Sequence, residues 1–129
     1  MPAQDQVYWA KWDTHDVYQF DFFRKKWTVR NDVKSESRFL YFSSVCHLPK
    51  GLGMFILGGS DVDDNFSKRN TYFNRYVKFE DKAPMQIKRA FFPSTFCIAD
   101  TSIYVFGGNS GDQDLASCER YSVAENVWR

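Results

Sequence analysis

Two histidines, three cysteines and a net charge of +1 leave this chain of 129 residues thinly supplied for chemistry. His15 and His47 lie far apart in sequence, and Cys46, the neighbour of His47, would point to the opposite face of a strand, which argues against a triad or a histidine-built metal centre. Cys46, Cys97 and Cys118 are odd in number and have no C-x-x-C spacing, so reduced thiols are the first expectation and one disulfide plus a free thiol the alternative. The near-neutral charge gives no field to steer the chain toward nucleic acid or an anionic membrane. No apolar window approaches the length of a bilayer crossing, and the opening residues lack the basic and apolar blocks of a secretory signal. Sustained 3.6-residue periodicity is absent throughout.

Aromatic residues are what the chain has in plenty. Thirteen Phe, seven Tyr and four Trp make 19% of the sequence, within a composition that is 43% hydrophobic and 26% charged. Large flat side chains in short alternating runs suit stacked sheets, and frequent turn signals between the runs point to an all-β protein. Ile103-Tyr104-Val105-Phe106 ends at Gly107-Gly108, and Met54-Phe55-Ile56-Leu57 ends at Gly58-Gly59. The step from Gly58 to Gly107 is 49 residues, a period that implies blades or solenoid units. Counted from Arg38 and from Arg89, Ser43, Ser44 and Cys46 align with Ser94, Thr95 and Cys97. Phe20, Tyr76 and Tyr121 align as the aromatic of a third strand, and a Trp follows the first and last of them seven residues on, at Trp27 and Trp128.

Strands are expected at Val7–Trp12, Val17–Phe20 and Trp27–Val29, with Asn31–Glu36 as a connection. Further runs follow at Arg38–Cys46, Met54–Leu57 and Thr71–Phe79, the last closed by a turn at Glu80-Asp81. The final set is Arg89–Ile98, Ile103–Gly108, Ala116–Ser122 and the start of a strand at Asn126–Trp128.

An apolar strand ending in Gly-Gly, then a Tyr, then a Trp resembles the kelch repeat, a four-stranded blade of one class of β-propeller. Ala83-Pro84-Met85 and Arg89 are similar to that family's link between blades. The resemblance implies eleven strands grouped three, four and four. Residues 1–33 would form a partial, degenerate first blade, with Lys11-Trp12 where the double glycine belongs. Residues 34–85 would form a complete blade with Phe79 near the missing Trp, and 86–129 a third blade truncated in its last strand. Gly58, Gly59, Gly107, Gly108, Tyr76, Tyr121, Trp27 and Trp128 are then structural residues. Glycines allow positive φ and close approach, and the aromatics wedge between sheets. Under three blades do not close a propeller, so further blades of the same chain, or self-association, are expected to complete the ring.

Sequence motifs for catalysis fail on inspection. Gly108-Asn109-Ser110-Gly111 has Asp112 where a nucleophile elbow needs its last glycine. Gly51 and Gly53 open a G-x-G whose third glycine position is Ile56. Asp61, Asp63 and Asn65 imitate a calcium loop whose glycine is Phe66 and whose closing glutamate is Tyr72. No catalytic residue, metal or cofactor is expected, and the chain reads as no enzyme. Arg24-Lys25-Lys26 and Lys68-Arg69 read as solvated turn charge, which makes a nucleic-acid partner unattractive.

By the same resemblance, partners bind the loops after the second strands and the links between blades. That face would hold Asp61, Asp63, Asp64, Lys68, Arg69, Arg38, Arg89, Asn109 and Asp112. The expected function is a protein-interaction scaffold or adaptor, cytoplasmic, with cytoskeletal association as a further option. The alternatives are a structural subunit locked in a large assembly and, behind it, part of a propeller enzyme.

Overall fold

A computed structural model describes residues 7–74, 76 and 78–129. Among the described residues the chain forms eleven strands: β1 (Tyr8–Ala10), β2 (Asp16–Asp21), β3 (Lys26–Lys34), β4 (Ser44–His47), β5 (Met54–Leu57), β6 (Asn70–Asn74), β7 (Lys78–Lys82), β8 (Ser94–Cys97), β9 (Ser102–Phe106), β10 (Cys118–Ser122) and β11 (Val127–Trp128). They build three sheets in the orders β1-β2-β3, β4-β5-β6-β7 and β8-β9-β10-β11. Every strand pairing is antiparallel, and a single 3₁₀ turn at Pro49–Gly51 is the one departure from strand and loop.

The sheets stack face to face, and the middle one is buried on both sides. All four residues of β5 are buried. Met54 and Ile56 join Tyr8, Ala10, Val17, Val33 and Phe73 between the first and second sheets. Phe55 and Leu57 join Ile103, Val105, Tyr121 and Trp128 between the second and third. A strand covered on both faces needs an unbroken apolar run rather than alternation, which is why Met-Phe-Ile-Leu reads as it does.

Register identifies the true repeat. Phe20 donates its amide to the Val7 carbonyl and lies across from Trp27. Phe73 lies between Met54 and Phe79, and Tyr121 between Ile103 and Trp128. The third-strand aromatics are therefore Phe20, Phe73 and Tyr121, with Trp27, Phe79 and Trp128 as their partners in the fourth strand. Tyr76 does not belong to this series. It stands in a hairpin turn, 77% exposed, where its amide donates to Asn74 Oδ1 at 2.8 Å. That side-chain turn ends β6 at Asn74 and begins β7 at Lys78, so the single strand expected over Thr71–Phe79, with its turn at Glu80-Asp81, is two strands instead.

Two other expectations are corrected. Asn31–Lys34 continues β3 rather than connecting blades, because Val33 is drawn into the first interface. A register shift accommodates this: Tyr18 faces Val29, whereas Asp16 faces Lys34. Cys46 and Cys97 are not equivalent either. Cys46 faces Phe55 and Cys97 faces Ser102, whereas the counterpart of Phe55 one repeat later is Tyr104, which faces Thr95.

Among the described residues, no further sheet covers the outer faces. On the first sheet, Trp9, Tyr18, Phe20, Trp27 and Val29 share the side away from the second sheet. On the third, Tyr104 and Phe106 stack at 6.4 Å on the side away from the second.

Phe73→Ala should cost about 3–5 kcal/mol, the usual penalty for an aromatic removed from a packed core. Tyr76→Ala should stay within about 0.5 kcal/mol, as for an exposed turn. Urea unfolding of the two variants checks the assignment; comparable losses would restore Tyr76 to the repeat.

Candidate functional site: the loop end

Three loops, 11–15, 58–69 and 107–117, leave the ends of β1, β5 and β9, and the links 35–43 and 83–93 return to the same end. Paired backbone bonds fasten loops to links. Tyr41 and Ser60 exchange amide-to-carbonyl bonds at 2.9 and 2.8 Å, and Ala90 and Asn109 do so at 3.0 and 2.9 Å. The double glycines make this possible. At Gly58, with φ of 60°, a Cβ would lie 2.3 Å from the Arg89 carbonyl. At Gly108, with φ of 90°, it would lie 2.6 Å from the Ala90 carbonyl. Any other residue would push the link away.

Arg89 is the centre of this fastening. Its amide donates to the Ser67 carbonyl and its own carbonyl accepts from the Gly59 amide, both in the second sheet's loop. Its side chain reaches the third sheet, where Nη1 donates to the Gly107 carbonyl at 2.8 Å and Nη2 to Glu119 Oε2 at 2.7 Å. Glu119 also accepts from the amides of Gln86 and Ile87. The guanidinium is 0% exposed, so Arg89 does not meet a partner at the surface, and its placement on the recognition face is corrected. The burial has a direct cause: two carbonyl oxygens, of Gly107 and Ser117, the Ser117 hydroxyl and the Glu119 carboxylate surround a charge that could not otherwise leave water.

Arg38 is not its counterpart. The paired bridges set Tyr41 against Ala90, so Leu40 stands where Arg89 does. Thr71 faces Ile56 as Glu119 faces Val105, so Thr71 stands where the carboxylate does. The first junction thus carries Leu and Thr in place of the ion pair, and a cavity of about 30 Å³ lies there among Leu40, Ile56, Gly58, Arg69 and Thr71. Arg38 points outward instead and donates to the Asp13 carbonyl at 2.9 Å.

The other residues expected at the surface divide by what already holds them. Asp61 staples its own loop: Oδ1 accepts from the amides of Asp63 and Asn65 at 2.9 Å, and Oδ2 from the Asn65 carboxamide at 3.0 Å. Those bonds, first of all the Asn65 amide, hold its carboxyl below the usual range. Arg69 reaches Asp81 at 3.2 Å, and Asn109 donates to Asp114 while accepting from the Gly111 amide. Asp63, Asp64, Lys68 and Asp112 are exposed.

The sequence pattern held a further signal that residue-type matching missed. Phe42 and Phe91, 49 residues apart by number, lie near the ends of the two links at equivalent places. Their rings stack at 4.0 Å with an interplanar angle of 23°, and Trp12 packs on Phe42 at 5.2 Å. Phe42 is 41% and Phe91 55% exposed, and both sit in left-handed backbone, with φ of 57° and 58°.

Among the described residues, the histidines and cysteines lie apart from one another or are held by the fold. His15 Nδ1 donates to the Ser35 carbonyl at 2.8 Å, and His47 ends β4 in another sheet. All three cysteines are unpaired. Burial pushes the Cys46 thiol up to about 11, against a weaker downward pull from Ser94, and a protonated thiol is a poor nucleophile.

Two measurements follow. Arg89→Leu should cost about 3–5 kcal/mol in urea unfolding, because Glu119 is left buried and unpaired. Arg89→Leu with Glu119→Thr, which copies the first junction, should cost less than either single change; additive losses would contradict the pairing. Mass-spectrometric mapping of alkylation at mildly alkaline pH should show Cys118 modified first and Cys46 protected until unfolding. The raised thiol favours the folded state below the ordinary thiol value, and that advantage is lost as pH climbs toward about 11.

Residues 90–129 match the family model of the Kelch motif. No curated protein matches the chain. The matched segment takes in the whole third sheet, from the link residue Ala90 through Trp128. The third sheet thus matches the kelch motif, and the three antiparallel sheets together are consistent with a partial kelch propeller.

Proposed function

We propose that this chain is a protein-interaction module, a scaffold or adaptor segment that binds a protein partner through the loops and links at one end of its sheets. Kelch repeat domains generally mediate protein–protein interaction. The observation that carries the reading for this chain is the Phe42–Phe91 pair. Left-handed backbone costs a bulky residue on the order of 1 kcal/mol, and strain of this kind gathers at functional positions. Stacked, half-exposed aromatics are the side chains that anchor interfaces, and the exposed charges of Asp63, Asp64, Lys68 and Asp112 supply the polar rim such anchors need. Binding without catalysis is part of the proposal, supported by the separation of His15 from His47 and the protonated state of Cys46. So is a cytoplasmic setting, supported by three unpaired thiols.

A second reading, a subunit held permanently in a larger assembly, draws support from the open aromatic face around Trp27. Quantitative affinity capture from cell extract separates the two. Phe91→Asp, and Asp63→Lys with Arg69→Glu, should each deplete partners at least severalfold, while Lys25→Glu in the opposite turns leaves them unchanged. Partners indifferent to both loop variants would rule out the loop end. Stoichiometric, salt-resistant partners would favour the permanent subunit.

A further inference from the structure

Apart from partner binding at the loop end, we propose that the two outer sheet faces bind each other between copies, head to tail, so that two chains close a ring of six sheets. The occupant of each open face is a second copy of this chain. The two interfaces inside the chain show why. At each, a second-strand aromatic of one sheet meets the third-strand aromatic of its neighbour edge to face. Tyr8 meets Phe73 at 5.0 Å and 81°, and Phe55 meets Tyr121 at 5.6 Å and 63°.

Both halves of that arrangement recur on the outer faces, where among the described residues neither meets a neighbouring sheet. Tyr104 on the third sheet holds the position of Tyr8 and Phe55, since each lies two places before the last residue of its run, at Ala10, Leu57 and Phe106. Phe20 on the first sheet holds the position of Phe73 and Tyr121, and Trp27 that of Phe79 and Trp128. Tyr104 against Phe20 is the third instance of one contact. Their surroundings agree. Trp27 is 42% and Phe106 43% exposed, so each face has apolar surface to cover. Arg120 faces Tyr104 as Tyr72 faces Phe55, and Tyr72 packs on the cluster that holds Tyr121 and Trp128. In the ring Arg120 therefore lies against Phe20 and Trp27, where a guanidinium over aromatic faces is favourable.

A second copy is the fitting occupant because one chain carries both halves and its net charge of +1 gives little self-repulsion. Head-to-tail contacts close when the rotation permits, and three sheets from each of two copies fall within the four to eight blades of known propellers.

Sedimentation equilibrium tests this over a range of concentrations. The chain should run at twice its 15.2 kDa, and Trp27→Glu or Phe106→Glu alone should weaken association roughly tenfold or more. Both residues are surface-exposed, so the circular dichroism spectra of the variants should match that of the parent chain. Mixing the two variants should restore a dimer, because one undamaged interface forms between them. A monomer at every soluble concentration overturns the proposal, as does an open polymer or a dimer indifferent to both substitutions. A mixture that fails to associate overturns the head-to-tail arrangement.

Discussion

A guanidinium with no route to water has to be neutralised where it lies, and the joint between the second and third sheets is organised around that requirement. Arg89 takes its backbone bonds from one sheet and its side-chain bonds from the next, so the two cannot shift without breaking both sets. Burying a charge pair adds little net stability compared with apolar packing; what it adds is a single permitted arrangement. The glycines belong to the same constraint. Gly58 lies against the Arg89 carbonyl and Gly108 against that of Ala90, and the link can lie this close only because neither glycine has a Cβ. The first joint is made differently. Leu40 and Thr71 fill the equivalent places, leave a small cavity, and let the apolar cluster around Phe73 hold the sheets together.

Much of the fold was legible because the period is written in residues that have only one structural use. A Gly-Gly after four apolar residues, twice, fixes where a buried strand ends, and the grouping of eleven strands follows from it. What the pattern misplaced, it misplaced for physical reasons. The hairpin between Phe73 and Phe79 is one residue shorter than those at Phe20–Trp27 and Tyr121–Trp128, so counting from residue identity landed on Tyr76, a tyrosine in the turn. Arg38 and Arg89 share a residue type and differ in environment, since Arg89 has Glu119 beside it and Arg38 has Asp13 at the surface. Charge burial depends on a partner thirty residues away, which local spacing does not reveal.

The candidate site was less legible than the scaffold. Loop charges announced an exposed end of the sheets, yet several turned out to be engaged within it: Asp61 with its own loop, Arg69 with Asp81, Asn109 with Asp114. The aromatic pair that marks the same end was visible only as two phenylalanines one period apart. Its significance lies in a backbone conformation that no side-chain pattern encodes.

That conformation carries a cost that packing alone does not require. A sequence selected only for a sturdy stack of sheets would place glycine or asparagine at positions 42 and 91, where φ is positive, and would turn no large ring toward water. Phenylalanine at both positions is the costlier choice made twice, in two repeats that differ in their link residues, their hairpin lengths and their fourth-strand aromatics. Both rings thus carry backbone strain while remaining open to water.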